Sequence, residues 1–442
     1  MKGRRKKEEG GSRQRVDPLR FLHSSFCLLT SLLCAEDTRF LPPPLRPDPA
    51  PVAIGLSSAL ALGVAPSFEV LPGGELNAHE HGIEFHPKAL LGLGWDGNPQ
   101  TAPHADGDAY TRLLAGADLR FIIGDRSRFE LGGELEARRY ADTAGRDHVG
   151  GGLTAVWNTR DDAWWWRGEA GALREDQPLA ATANAVSRDE FRLALAGGRE
   201  VRVFGASALV TATAVHYRED APGFIAENQD RRTLAAETRI YAFAWSRSAL
   251  GLRLGGGLTR YANDLANNGG QQLIASVWWR HQPGDRTWIT TEIGASAWRW
   301  SDTTAGDPAN SDAHVTEPLA NIHLEWRPEE HSYLIVGVGS ELGDGAQANA
   351  ARILSATLSA RLRLADRLGA ALIGRWERRL DTGAQPGFAR ELRRNTAVTA
   401  GIDYELRDGW ALRSLVGWED SEADIGVSYS RPTATMEIAA AF

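Results

Sequence analysis

The chain has 442 residues, with 49 lysines and arginines against 57 aspartates and glutamates, so its net charge is −8. Apolar residues make up 43% of the sequence, which excludes a disordered chain, and charges spread along its whole length exclude a bundle of membrane-spanning helices. A membrane-spanning β-barrel passes both tests, because its strands alternate lipid-facing with water-facing residues. The acidic balance argues against nucleic acid as a partner.

Residues 1–65 differ in composition from the rest of the chain. They hold a basic run at residues 2–7, two short apolar stretches at 21–33 and 52–65, and a proline-rich segment between the two. Either apolar stretch has the length of a signal-peptide core, and the second favours a translation start downstream of Met1. A cytosolic leader without a targeting role is the alternative. Both cysteines, Cys27 and Cys34, lie here, so the body has no disulfide framework and no thiolate metal site.

From residue 83 onward the chain repeats one pattern, in which a run of alternating apolar and polar residues precedes a break. In residues 352–364, leucines at positions 354, 358, 362 and 364 share one face, whereas serines, a threonine and arginines share the other. A strand sorts residues in this way, whereas a helix would distribute the charges around its surface. The pattern therefore predicts amphipathic β-strands.

Eighteen such segments follow one another along the chain. They begin near residues 83, 108, 127, 148, 164, 188, 203, 229, 249, 270, 287, 313, 332, 351, 368, 391, 410 and 425. The breaks alternate between short turns and longer polar loops, which is typical of an up-and-down antiparallel meander. We predict an all-β fold, a transmembrane up-and-down antiparallel β-barrel of about 18 strands, with 16 strands as the alternative count.

The break lengths also predict an orientation. Outer-membrane barrels have short periplasmic turns and longer extracellular loops, so both termini are expected in the periplasm. The predicted organisation is a leader or signal region at residues 1–65, a short periplasmic linker at 66–82 and an outer-membrane barrel at 83–442, located in the outer membrane of a Gram-negative cell. A soluble all-β sandwich or propeller is the alternative, but it gives no reason for alternating break lengths.

The tryptophans cluster near strand ends, where a membrane barrel carries its aromatic girdles. The residues assigned to the girdles are Trp157, Trp164, Trp166, Trp245, Trp288, Trp326 and Trp410 near short turns, and Trp298, Trp376 and Trp418 near long loops. A packed soluble core would not produce this distribution. Chance clustering in strand ends is the alternative interpretation.

The chain ends on an amphipathic segment whose last residue is Phe442, with Met436, Ile438 and Ala440 on the same face. A terminal phenylalanine on a final strand resembles the signal that the barrel-assembly machinery of Gram-negative bacteria recognises. Phe442 is therefore the expected assembly signal, and that machinery is an expected partner.

Residues 85–98, FHPKALLGLGWDGN, form an apolar first strand that ends in an aromatic-Asp-Gly-Asn turn before a long loop. Together with the strand pattern, this motif resembles the β-barrel porin 2 family of Gram-negative bacteria over about residues 82–442. The resemblance implies an outer-membrane porin. Some members are encoded beside exopolysaccharide production genes, which implies an alternative role in polysaccharide export or envelope structure.

An 18-stranded barrel has a backbone diameter of roughly 36 Å if its strands lie ~4.8 Å apart and tilt by ~40°. Side chains do not fill that width, so the interior is water, infolded loops or both. The charged residues that the alternation places inside as pore-lining candidates are Arg112, Asp118, Arg120, Glu130, Glu134, Glu136, Arg138, Arg361, Arg363, Arg375, Glu377 and Arg379. Such mixed charges suit either a transverse field on permeants or structural pairing.

These features predict passive diffusion of small hydrophilic solutes, in contact with outer-membrane lipid and lipopolysaccharide; a homo-oligomer is left open. No cofactor is implied. No catalytic residue is predicted, because no segment shows the spacing of a nucleophilic or paired-carboxylate site. The only histidine cluster, His79, His81 and His86, has ordinary spacing and predicts no metal site. The chain is therefore not expected to be an enzyme.

Overall fold

The computed structural model describes most of the chain after residue 81. The described ranges are residues 82–99, 106–123, 127–143, 146–160, 164–178, 185–201, 204–218, 230–245, 248–262, 270–284, 286–300, 314–329, 332–343, 351–381, 392–407, 409–424 and 427–441. The predicted leader and nearly all of the predicted linker lie outside these residues. In the described part, no helix is long and apolar enough to cross a membrane.

Eighteen β-strands occupy the described residues. They are β1 Ile83–Asp96, β2 Asp108–Ile123, β3 Ser127–Tyr140, β4 His148–Arg160, β5 Trp164–Pro178, β6 Ala185–Val201, β7 Phe204–Tyr217, β8 Arg231–Trp245, β9 Ser248–Tyr261, β10 Gly270–Gly284, β11 Thr287–Trp300, β12 His314–Glu329, β13 Ser332–Gly343, β14 Ala351–Ala365, β15 Leu368–Asp381, β16 Leu392–Arg407, β17 Trp410–Ala423 and β18 Tyr429–Ala441. The largest departure from the predicted starts is at β18, expected near residue 425.

The strands form one closed antiparallel sheet. Each strand pairs with its neighbours in sequence, and β18 pairs with β1, where Lys88 lies opposite Ala441. A closed sheet leaves no strand edge unpaired, which a lipid environment requires. The predicted up-and-down barrel of 18 strands is confirmed, and the alternative of 16 is excluded.

The two rims of the barrel differ in the length of their connections. Only residue 408 and Gly409 separate β16 from β17, and Gly409 has a φ of 77°, a left-handed conformation that glycine adopts readily. At the opposite rim, residues 301–313 separate β11 from β12. Because β1 begins and β18 ends beside the short turns, both ends of the barrel segment lie at the short-turn rim.

The outer face of the sheet is apolar and the inner face is polar. Leu91 is 60% exposed and Ile293 is 71% exposed on the outer face, whereas Arg253 and Glu437 are each 1% exposed on the inner face. A soluble protein would distribute these residues the other way round. The outer face is therefore suited to lipid, and the apolar side chains on it are the membrane-contacting belt.

Aromatic side chains on the inner face lie against glycines of the neighbouring strand. A Cβ atom added at Gly94 would lie 2.3 Å from the ring of Tyr110, and one added at Gly205 would lie 2.2 Å from the ring of Tyr241. The register places each glycine directly opposite its aromatic partner. These glycines leave room for a large ring to cover the neighbouring strand, which accounts for glycine in the middle of strands.

Candidate functional site

The inner wall of the barrel is the candidate functional site. Strand register places all twelve predicted pore-lining residues on the inner face, the seven on β2 and β3 and the five on β14 and β15. Their contacts differ widely, however. Some are locked into ion pairs and buried, while others face the interior space.

A chain of ion pairs crosses the closure of the barrel. Arg112 on β2 donates two hydrogen bonds of 3.1 Å to the Glu136 carboxylate on β3 and one of 2.7 Å to Glu437 on β18. Arg138 donates a further hydrogen bond of 3.0 Å to Glu136, and Arg413 on β17 donates one of 3.3 Å to Glu437. These contacts join β17, β18, β2 and β3 on the inner side of the wall and cross over β1.

The reach of Arg112 depends on the small residues of β1, which lies between β2 and β18. Gly92 is directly opposite Arg112 on one side and Glu437 on the other. A Cβ atom at Gly92 would approach Glu437 Cγ to 3.0 Å. Two residues further along β1, Tyr110 hydrogen bonds to Thr435 at 2.7 Å over Gly94. Two hydrogen bonds between β2 and β18 therefore cross β1 on its inner side.

The aromatic-Asp-Gly-Asn motif at the end of β1 forms a second connection to β18. The Asp96 carboxylate accepts hydrogen bonds from Arg431 Nε at 2.9 Å and from the Tyr140 hydroxyl at 3.0 Å. The Gly97 amide donates to the Pro432 carbonyl at 2.7 Å, and the Asn98 side chain donates to the backbone of β18. We call Asp96, Gly97, Asn98 and Arg431 the closure clasp.

A separate network braces the opposite wall. Arg253 on β9 donates a hydrogen bond of 2.8 Å to Glu237 on β8 and one of 3.0 Å to Glu292 on β11. Arg239 donates to the other Glu237 oxygen at 2.6 Å, and Asn321 on β12 donates to Glu292 at 3.3 Å. Each buried charge has at least one opposite partner, which is the condition for placing charges in a dry wall.

The predicted residues on β14 and β15 also form ion pairs. Arg361 donates to the Asp403 carboxylate on β16 at 2.9 Å, although β15 lies between them. Glu377 is 0% exposed and lies between Arg375, at 2.8 Å, and Arg379, at 3.6 Å. Arg361, Arg375, Glu377 and Arg379 therefore belong to the wall of the barrel and have little contact with the interior space.

The accessible charges of the inner face lie towards the short-turn rim. Side-chain exposure is 50% for Asp118, 33% for Arg120, 35% for Glu130, 46% for Arg327 and 40% for Arg363. All five lie within about six residues of a short turn. We call them the mouth charges. Lys88 Nζ lies 3.3 Å from the Asp118 carboxylate and 3.9 Å from the Glu134 carboxylate, and the lysine side chain is only 10% exposed.

Most of the predicted girdle tryptophans lie on the outer face. Trp157, Trp164, Trp166, Trp326, Trp376 and Trp418 are 39–46% exposed there, and Trp410 is half-buried. Trp288 and Trp298 depart from the girdle assignment, because their register places them on the inner face; Trp298 is 3% exposed and packs against Val315 and Leu342. Nothing is described of the Trp245 side chain.

Other predicted features fall outside the described residues or have no counterpart in them. Phe442 is not among the described residues, so its role as assembly signal stays a prediction. The described ranges hold no group of three or more histidine, cysteine, aspartate or glutamate side chains arranged to bind a metal ion.

The charged residues of the inner face were predicted from the sequence, but the closure clasp was not. The Trp95-Asp96-Gly97-Asn98 turn was visible in the sequence, and its likeness to a family motif was the available signal. Its partner, Arg431, lies 335 positions away, and no periodicity connects the two. The clasp emerges only once β18 is paired with β1.

A closed 18-stranded barrel with an apolar belt, outward-facing aromatic residues and a charged interior defines an integral outer-membrane β-barrel protein. Its location is the outer membrane of a Gram-negative cell. The closed sheet, the apolar belt and the charged interior are features of this chain itself.

Several solved structures are similar to this chain at low sequence identity. No protein-family model and no curated protein sequence matches the chain. Among solved structures, Pseudomonas aeruginosa OpdK with vanillate is 12% identical, with 84% of this chain and 100% of that chain covered and a TM-score of 0.45. Acinetobacter baumannii OccAB4 is 10% identical, with 83% of this chain and 100% of that chain covered and a TM-score of 0.41. The Yersinia pestis ferric yersiniabactin uptake receptor FyuA is 11% identical, with 80% of this chain and 80% of that chain covered and a TM-score of 0.39.

Proposed function

We propose that this protein is an outer-membrane channel through which small hydrophilic solutes diffuse passively, and that it is not an enzyme. The observation that carries the proposal is the closed 18-stranded barrel with a polar inner wall. A ring of this size is roughly 36 Å across at the backbone, which is wider than opposing side chains can fill.

The wall supports the proposal through the division of its charges. Buried pairs such as Arg253 with Glu237 hold the wall in shape and neutralise one another. The mouth charges carry both signs, since Asp118 and Glu130 are balanced by arginines on the same rim. Solutes therefore pass a hydrophilic rim of nearly balanced charge, which favours weak discrimination between anions and cations.

Orientation and biogenesis belong to the same proposal. The short-turn rim, which holds both ends of the barrel segment, faces the periplasm, and the long loops face outward. Residues 1–65 direct export, Phe442 directs assembly, and the chain is related to the β-barrel porin 2 family. Sequencing the N-terminus of the protein in purified outer membranes tests the export step; an intact Met1 there would contradict it.

Liposome swelling tests solute diffusion directly. Purified, folded protein in liposomes is mixed with isotonic solutions of uncharged sugars of increasing size. We expect rapid swelling with small sugars and progressively slower swelling with larger ones. Liposomes that do not swell, although circular dichroism and heat-modifiable gel migration show a folded barrel, would reject diffusion.

A second function, passage of a polysaccharide, is favoured by one feature of the inner face. Trp278 on β10 and Trp288 on β11 lie on the inner face and are partly exposed, and the Trp278 ring centroid lies 5.5 Å from that of the buried Tyr241 on β8. Flat rings with polar edges suit contact with sugars. Deleting the gene separates the alternatives, because loss of surface polysaccharide without slower solute uptake favours export, whereas slower uptake alone favours diffusion.

A further inference from the structure

The outer face of the barrel carries arginines just below the long loops. Arg352, Arg378 and Arg394 lie on three adjacent strands, β14 to β16, and Arg232 and Arg260 lie on β8 and β9. Register places them on the outer face, since Arg378 shares its face with Trp376 and Leu380, both about 40% exposed. They therefore border the apolar belt, where lipid headgroups meet the protein.

Four of these arginines form two pairs, and the two members of each pair lie directly opposite each other on neighbouring strands. Arg378 faces Arg394, and Arg232 faces Arg260. Like charges in such positions destabilise a sheet, because their Cβ atoms are only about 5 Å apart. On the inner face, by contrast, the opposed pair Arg112 and Arg138 shares the Glu136 carboxylate. No described carboxylate bridges either outer pair in this way.

Acidic neighbours compensate the outer arginines only in part. Glu422 on β17 lies opposite Arg394, at 3.7 Å, and Glu317 lies 3.9 Å from Arg352. Both distances exceed a hydrogen bond. The Nε atoms of Arg352 and Arg378 are shielded from solvent and have no acceptor among the described residues. The side chains of Arg352 and Arg394 are nevertheless 43% and 53% exposed, and three arginines against two acidic neighbours leave the patch on β14 to β16 with an excess of positive charge.

The short-turn rim is arranged differently. Arg199 lies over the ring of Trp164 at 5.3 Å, and Arg407 lies over the ring of Trp410 at 5.0 Å. Each of these arginines has a tryptophan partner within the protein. The opposed arginine pairs occur at the long-loop rim, which makes the outer surface of the barrel electrostatically asymmetric across the membrane.

We infer that the Arg378–Arg394 and Arg232–Arg260 pairs bind phosphoryl groups on the headgroup of an outer-leaflet glycolipid, a phosphorylated lipid A. A phosphate placed between two guanidinium groups accepts charge-assisted hydrogen bonds from both and removes their repulsion. The acyl chains of the same molecule extend along the apolar belt beneath, past Trp376. This assignment goes beyond solute diffusion, since it concerns the lipid face of the wall.

The test measures lipid binding to the purified full-length protein in detergent by native mass spectrometry. The probes are diphosphoryl lipid A, its dephosphorylated counterpart and inorganic phosphate. We expect diphosphoryl lipid A to bind at least about tenfold more tightly than the dephosphorylated lipid, as charge-assisted hydrogen bonds allow. Equal binding of the two lipids would overturn the inference, and so would inorganic phosphate displacing lipid A at equal concentration.

Variants assign the binding to the named arginines. Arg378→Gln with Arg394→Gln, and Arg232→Gln with Arg260→Gln, are each expected to weaken binding of diphosphoryl lipid A about tenfold. The lysine versions of the same pairs keep the charge and should retain most of the binding. Glu422→Gln should strengthen it, because it removes the competing carboxylate beside Arg394.

Arg199→Gln, at the opposite rim, is the matched control and is expected to leave lipid A binding unchanged. Folding of every variant is checked by circular dichroism and heat-modifiable migration. If the glutamine pairs fail to fold, the lysine pairs and Glu422→Gln still decide the matter. Unchanged affinity in Glu422→Gln, together with lost affinity in the folded lysine pairs, would contradict recognition of a phosphoryl group by positive charge.

Discussion

Charged residues in the wall differ mainly in whether a buried ion-pair partner neutralises them. Glu437 is 1% exposed and accepts hydrogen bonds from Arg112 and Arg413, whereas Glu130 is 35% exposed and lies 3.6 Å from Arg120. The alternation treats both as inner-face carboxylates. Their surroundings give the first a structural role and leave the second available to solvent and solutes.

Replacing Glu437 by alanine is expected to lower the free energy of unfolding by about 3–5 kcal/mol, because it leaves the buried Arg112 guanidinium with one partner fewer. Urea unfolding of the refolded protein in lipid vesicles, followed by tryptophan fluorescence, measures the change. The matched control is Glu130→Ala, whose exposed pair should cost less than about 1 kcal/mol. Equal effects of the two substitutions would show that burial does not separate wall charges from mouth charges.

The sequence predicted which residues face inward but not which of them are accessible. Alternation along a strand assigns Arg120 and Arg379 to the same face, yet Arg379 is 2% exposed and lies 3.6 Å from the buried Glu377. For Trp298, the sequence predicted the wrong face of the strand. Its position near a long loop suggested an interface residue, but its register on β11 turns it inward against Val315.

At the scale of strands, β1 is the distinctive element because its inner face carries two successive glycines. Gly92 and Gly94 allow side chains of β2 to reach β18 over the first strand, and the closure clasp fixes its far end. The sequence predicted a strand at this place and a turn after it. The bridges escaped prediction, because they join residues more than 300 positions apart.

Gly94→Ala tests the bridge over β1. The new methyl group would overlap the Tyr110 ring, which is held by its hydrogen bond to Thr435, so we expect a loss of about 1–3 kcal/mol in unfolding free energy. Gly284→Ala is the control, because nothing lies within 4 Å of its Cβ position. The same urea titration serves both variants. A loss at Gly284 as large as that at Gly94 would contradict the role assigned to the bridge.

At the scale of the whole molecule, the charged residues divide into three groups. Buried networks hold the inner wall, mouth charges face the interior space at the short-turn rim, and outward arginines border the lipid at the long-loop rim. The sequence predicted the closed barrel and its strand count because the period of two and the alternating breaks are local. The three-way division of charge required the register of all strands.

The mouth charges are expected to set the weak ion preference of the channel. Asp118→Asn and Glu130→Gln together remove two negative charges from the mouth, so the reversal potential in a salt gradient should shift towards anion preference. Glu422→Gln removes one negative charge from the outer face and should leave the reversal potential unchanged. A similar shift in both proteins would mean that the preference comes from net charge and not from the mouth.

Single-channel recording in planar bilayers tests the central claim most directly, because it asks whether water and ions occupy the barrel. We expect purified, folded protein to insert and produce discrete conductance steps that increase with salt concentration. A protein that inserts as a folded barrel, shown by heat-modifiable migration and protease protection, yet gives no conductance steps, would contradict an open hydrophilic channel.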